Sequence, residues 1–443
     1  MKKLILYMHS ILIRPHFSMI NLTLSSLSLI SSISHAPLFS PPLSVINTRL
    51  SISNSNFARF FAQSLLTHAN NILLSYENTK FSHFLSSAFM IDSIDECKQN
   101  LYETYYHQFT ETMNFTKNEV IVRSCQFLNC HSQENGGAFS IRNSQNVLWL
   151  TLTSLFQCTT EGESGGGFFL ETKTNKLNSV CFYQCSANLY GGAYFAISTI
   201  EHTSEWVSVV QCPYDKPMLS HCCFNLGGGQ LHMSQNISFN KYQNVGGFSR
   251  INANFSMVHF GVYSNNIAGN FLYIDNINRY LMQNHEFFNV INNTFADFGL
   301  QQEWPPSLIL AHNAQVFVKN MIFLNNTNMP IVHLIKNETT YMIPFVELED
   351  CWFDTMENMN MVENMKDPVH YLATVKNCNT FNEKTVFQTY EMRLLSTHGC
   401  EAPYVETRTF LPHEWVHVSE EGQQAVNKSF HMFGKHLPGE VDD

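Results

Sequence analysis

Charge is what this sequence has least of. Only 14% of its 443 residues are Asp, Glu, Lys or Arg, while 44% are hydrophobic. That balance excludes a chain that stays disordered for want of apolar surface to bury. Basic residues number 25 against 36 acidic ones, and the net charge of -11 excludes nucleic acid as a partner, since no basic excess offsets phosphate repulsion. The 20 glycines are too few for a third-position repeat, which excludes collagen. Glu and Lys are too sparse for the flanking positions of a long coiled coil. After the N-terminus no apolar run reaches the roughly 18 residues that a membrane helix needs, so no transmembrane span is expected there. No glycine-rich loop ends in Gly-Lys-Ser/Thr, and neither a nucleotide nor any other cofactor is expected.

Cysteine stands at 12, an even number but well below the density of a disulfide scaffold. The chain opens with Lys2 and Lys3 and a short apolar run, broken at Arg14, Pro15 and His16 before a second stretch from Ile20 to Ile33. Ser34 and Ala36 are the small residues a secretory cleavage site requires. Residues 1–36 therefore read as a signal peptide or as a hydrophobic leader that packs on the first part of the fold. Sequons at Asn114, Asn236, Asn254, Asn292, Asn325, Asn337 and Asn427 are compatible with secretion.

What the chain does have is a repeated phrase. Glycine pairs at Gly136–Gly137, Gly166–Gly167, Gly191–Gly192, Gly228–Gly229 and Gly246–Gly247 are each followed by a short run rich in Phe, Tyr, Leu and Ile, with a degenerate copy at Gly269. The runs are too short for helical periodicity and have the β-branched and aromatic composition of strands. Paired glycines permit sharp turns and close approach of a neighbouring coil. A second phrase precedes several pairs: Phe127 to Cys130, Phe182 to Cys185 and, without glycines, Phe323 to Asn326. Its aromatic residue is expected to point into a coil. The Cys or Asn three residues on is expected at a corner, where like side chains stack from coil to coil. "SSAFMID" at Ser86, "PPSLILA" at Pro305 and "MPIVHLI" at Met329 read as further coils.

These alternating phrases, Gly-Gly-Ala plus an aliphatic or aromatic residue and Phe-x-x-Asn/Cys, resemble the repeats of chlamydial polymorphic outer-membrane proteins and of trichomonad surface proteins. The resemblance is clearest over residues 120–274. It implies a right-handed parallel β-helix of the pectin-lyase-like class, displayed at a cell surface or secreted, with a role in adhesion to a host-cell protein or glycan. The expected architecture is all-β: a leader at 1–36, a β-helix over 37–380, and a C-terminal cap or tail over 381–443. Open strand edges at both ends need irregular caps.

Three groups of residues in the sequence have the composition of a chemical site. His413, Glu414 and His417 match H-E-x-x-H, a zinc pair with a general base. Pro412 stands where the helix of a zinc protease would already be running. Glu347, Glu349, Asp350 and Asp354 form the densest acidic cluster, the residue type that glycoside hydrolysis requires in pairs. The cysteines, including Cys125, Cys158, Cys181, Cys222 and Cys223, lack zinc-ribbon spacing and read as buried corner thiols or as disulfides between coils. The expectation is a non-enzymatic surface protein, with a carbohydrate-active β-helix enzyme as the alternative and a zinc protease as the third reading.

Overall fold

The computed structural model describes residues 20–32, 48–60, 65–67, 72–92, 119–213, 221–242, 245–251, 253, 255–268, 270–275, 282–291, 293–295, 307–327, 330–335, 344–354, 366–367, 371–380, 387–391 and 408–412. Among them there is no helix, and nearly every strand pairing is parallel. The fold is the expected parallel β-helix, and a parallel crossover of this kind takes the right hand.

Regular coils lay down three strands. The first ladder begins with Ile20–Ser25 on Thr48–Ser53, continues through Ile72–Glu77 and Glu119–Arg123, and ends at Tyr371–Lys376. The second starts with Ser28–Ser32 on Asn56–Phe60 and ends at Asn379–Thr380. The third runs from Leu65–Thr67 through Phe89–Asp92 to Val332–Ile335. Residues 20–32 of the stretch read as a leader are thus part of the stack. Phe89, Ile309 and Val332 place all three degenerate phrases in the third ladder.

Alternation decides what is inside. Glu119–Arg123 and Gln315–Lys319 bury every second residue, as a strand with one face on the core must. In register, aromatic rings stack on their counterparts one coil away. Phe57, Phe81 and Phe127 form one column, with centroids 5.5 and 5.0 Å apart. Phe89, Phe139, Phe168 and Tyr194 form another at 4.7, 5.1 and 5.3 Å. These distances sit near the strand spacing of about 4.8 Å, so the backbone ladder itself sets the ring stacking. Phe182 and Phe323 occupy the same inward row as Phe127, and Phe323 stacks on Phe353 at 5.4 Å.

The Cys and Asn of the second phrase lie in one row at the corner after the second ladder. Cys130, Cys158, Cys185 and Cys212 fall three residues after the inward row, followed by Asn240, Asn266, Asn293 and Asn326. In the asparagine half, the Oδ1 of Asn266 accepts from the backbone N–H and Nδ2 of Asn240, both at 3.0 Å. Asn266 repeats both bonds on Asn293, and Asn293 repeats them on Asn326. Each Nδ2 also donates to a carbonyl of the coil before, as Asn266 does to Ile237 at 3.1 Å. In the cysteine half the thiol takes over the amide's role. Cys158 and Cys185 donate to Phe127 and Leu155 carbonyls at 3.5 and 3.4 Å, and Cys212 Sγ accepts from the Cys185 N–H at 3.2 Å. Burial pushes the Cys158 and Cys212 thiols well above their ordinary range, which keeps them neutral donors. Of the described cysteines, Cys181 is disulfide-bonded and the others are free.

The glycine pairs sit one corner later, ahead of the third ladder. Gly136, Gly165 and Gly191 have φ of +86°, +77° and +62°, and a Cβ on Gly137 or Gly166 would fall onto the carbonyl oxygen of Gly166 or Gly192 in the next coil. Gly246 and Gly247 lead into the third ladder in the same way, within Val245–Ile251. Gly228 and Gly229 do not. Gly229 pairs with Glu201 and Phe255 in the first ladder, so that triplet turns the corner after the third ladder instead. His221 and Cys222 hold the glycine position of that coil, because Gly192 and Ala193 donate to their carbonyls. One phrase therefore serves two corners.

Asn266→Ala removes two donated bonds and strands two donors of Asn240, and is expected to cost roughly 3 kcal/mol or more in urea unfolding. Cys212→Asn extends the amide ladder by one rung and is expected to stay within about 1 kcal/mol of the parent.

Candidate functional site

The residues singled out for chemistry resolve differently. Glu347 and Glu349 lie on the outer side of the first ladder, where Lys376 Nζ reaches Glu347 at 2.8 Å and Lys319 Nζ reaches Glu349 at 3.3 Å and Asp350 at 3.6 Å. Burial opposes the Lys319 charge, but Glu349 and Asp350 outweigh it and hold the ammonium above its usual range. Asp350 itself is a corner residue with φ +53°, and Asp354 accepts from the Asn325 N–H at 3.1 Å. These four acids serve as ion-pair partners and corner acceptors. His413, Glu414 and His417 lie outside the described residues, just beyond the strand Arg408–Pro412. Among the described residues no group of three or more His, Cys, Asp or Glu could hold a metal ion, and no helix could cross a membrane.

The outer face of the third ladder carries a cluster that sequence reasoning missed. Asp275 Oδ2 lies 3.2 Å from both the Tyr273 hydroxyl, which donates to it, and His312 Nδ1 one coil on. Tyr273 and Leu310 pack with Ile335 beside it. Further up the same face, His221 is buried against Tyr190 and Phe224, with centroids 5.6 and 5.2 Å away. Burial alone drives its pKa from 6.5 to about 3. The members come from coils far apart in sequence and share no motif, so only the register brings them together.

The first ladder shows the most unusual chemistry. Its inner rows are apolar early, with Leu50, Leu74, Val120 and Leu148 in one and Ile52, Val122 and Leu150 in the other. They then turn polar: Asn175, His202, Gln230 and Ser256 in the first, Ser204 and His232 in the second. They return to Val316 and Val346, and to Val318 and Leu348. The polar stretch is partly self-satisfied. Thr172 donates to Asn175 at 2.6 Å, Asn175 to Ser198 at 2.7 Å, and Ser204 Oγ is bonded to His232 Nδ1.

Two of those coils are apolar outside, with Leu231 and Met233 beside Gln230 and His232 and Met257 beside Ser256, whereas the coils of Asn175 and His202 present Lys176, Asn178, Thr203 and Glu205. Trp149 is 36% exposed and Leu152 38%, while Trp206, Leu231, Met233 and Met257 are half-buried on the outer side of the ladder or its corner. Lys176 Nζ lies 4.5 Å from the Trp149 ring centroid. At these positions earlier coils present Ser51, Ser53, Ser75, Glu77, Ile121 and Arg123, and later ones Phe317 and the Lys–Glu pairs. Leu152 and Trp206 also hold φ of +49° and +55° in a corner row that elsewhere uses Asn54, Asn78, Asn320 and Asn377. Asn tolerates that conformation, whereas an apolar side chain there costs roughly 1–2 kcal/mol. The result is an apolar band on the outer side of the first ladder that Lys176, Asn178, Thr203 and Glu205 interrupt, with Leu152 and Trp206 kept at a backbone expense. A shallow cavity of about 300 Å³ lies at the second corner, where Phe239 and Lys241 flank Asn240.

Two sequons can be placed. Asn236 is buried and donates to Ser208 Oγ at 3.1 Å, while Asn325 is exposed at the second corner. No protein-family model, no curated protein and no solved structure matches this chain.

His221 fixes the sign of one pH effect. Its folded pKa is depressed, so its contribution is complete above pH 6.5 and is lost as pH falls toward 3, at about 1.4 kcal/mol per pH unit. His221→Phe keeps a ring against Tyr190 and Phe224, and urea unfolding across that window is expected to show a slope shallower by about that amount.

Proposed function

We infer that this protein is a non-enzymatic β-helix that presents a binding face, in the manner of an adhesin. The observation that carries this reading is the band of Trp149, Leu152, Trp206, Leu231, Met233 and Met257 on the outer side of the first ladder. Tryptophan and methionine are enriched where proteins meet, and Leu152 and Trp206 place apolar side chains at a left-handed corner that elsewhere holds Asn, Ser or Asp. A protein partner suits the leucine and methionine content better than a glycan. A glycan is the other outcome of the binding test. The Gly-Gly-Ala and Phe-x-x-Asn/Cys phrases support kinship with the polymorphic outer-membrane-type repeat proteins, and with it display at the cell surface or in the extracellular space. The disulfide at Cys181 supports an oxidising compartment.

The test is direct binding of the purified chain to cells, extracellular proteins and a glycan array. Trp149→Ala is expected to weaken binding by about 2 kcal/mol, as a buried interface anchor does. Leu152→Asn is expected to weaken binding while raising stability by roughly 1 kcal/mol, because it relieves the left-handed strain. A chain that binds nothing in these assays sinks the adhesin reading.

A further inference from the structure

The strand that supplies the centre of the band is inside out. In the first-ladder part of Gly229–Ser238 the inward positions are Gln230 and His232 and the outward ones are Leu231 and Met233, whereas in its second-ladder part Ile237 points into the core. Because side chains alternate, a displacement by one residue confined to 229–233 exchanges the two pairs completely, while Ile237 keeps its inward place in the second ladder. We propose that this coil has two registers: the displayed one seen here, and a withdrawn one in which Leu231 and Met233 turn inward while Gln230 and His232 turn out. Leu231 and Met233 can then be shown or hidden, while Trp149, Leu152, Trp206 and Met257 stay on the outer side.

Local features make the second register accessible. The corner before the strand is the glycine triplet that breaks the repeat's pattern, with Gly227 and Gly228 at φ +71° and +59°. Both residues adopt either hand freely, so the corner can lengthen or shorten without strain. The same corner already varies between neighbouring coils. It spans Asn143 to Val147 in one, Thr172 to Thr174 in the next and Ser198 to Glu201 in the third, each time with a shift in pairing. On one side the strand pairs with Glu201–Glu205, which is polar on both faces through His202, Ser204, Thr203 and Glu205, and so sets no hydrophobic preference for either register. Inside, Gln230 donates to the Gly227 carbonyl at 3.2 Å, but its Oε1 is buried with no hydrogen-bond partner. The displayed register therefore leaves a buried acceptor unsatisfied while it keeps two apolar side chains half-buried at the outer surface.

The purpose assigned to the switch rests on the docking reading, but the two registers can be tested without any partner. In the full chain, Gln230→Lys with His232→Lys forbids the displayed register, and Leu231→Lys with Met233→Lys forbids the withdrawn one. Both double variants are expected to keep a cooperative thermal melt. In the Gln230/His232 variant, peroxide should oxidise Met233 roughly tenfold more slowly than in the parent, and the parent's 229–238 peptide should show two hydrogen-exchange populations. A Gln230/His232 variant that loses its melt overturns the proposal, as does unchanged Met233 oxidation or a single exchange population in the parent. Failure of the Leu231/Met233 variant to bind cells would bear on the docking surface and leave the register result standing.

Discussion

Every coil of this protein must sit over the last at the spacing fixed by parallel backbone hydrogen bonds, and that constraint governs the choice of side chain almost everywhere. A residue's nearest neighbour is its own counterpart one coil away. Like therefore stacks on like: Phe on Phe at Phe81 and Phe127, Gln on Gln at Gln157, Gln184 and Gln211, Asn on Asn from Asn240 to Asn326. Polar rows succeed because an amide can donate and accept along the stack at once. The cysteine row succeeds because a buried neutral thiol has the same two capacities in weaker form.

The constraint explains why so few charges are needed and where they go. A charge inside the stack would face its own kind in the next coil, so ions are confined to outer rows, where Lys319 and Lys376 find Glu349 and Glu347. It also explains the middle of the chain. The polar interior at Asn175, His202 and Gln230 is contiguous because one polar residue is best satisfied beside another. The apolar band outside follows from the same alternation at Leu231, Met233 and Met257.

Much of the scaffold is legible in the sequence. The aromatic at Phe127 and Phe182 and the Cys or Asn three residues on announce a strand and a corner, because those two positions are the most tightly specified in each coil. The glycines at Gly136, Gly166 and Gly191 are readable for the same reason, since backbone oxygens lie where a side chain would begin. Gly228 and Gly229 mislead because composition records that a corner exists and not which corner it is. The band was not legible. Whether Leu231 faces in or out depends on a register fixed by neighbouring coils, and the left-handed conformation of Leu152 leaves no trace in its identity. The Asp275–His312 pair is hidden likewise, since its members meet only through the third ladder.

The hydrogen bonds that join the coils all run along the axis of the stack, which gives the molecule a mechanical character. A pull on its two ends loads the coil–coil junctions in series, while the ladders within each junction share the load in parallel. Junctions from Asn240 onward carry extra amide bonds across the gap. Those from Cys130 to Cys212 carry thiol contacts there and, from Gln157 to Gln211, a single amide bond beside them. Under tension the two halves of the rod are held differently at this corner, by several side-chain amide bonds per junction in the asparagine half and by one beside a thiol in the cysteine half.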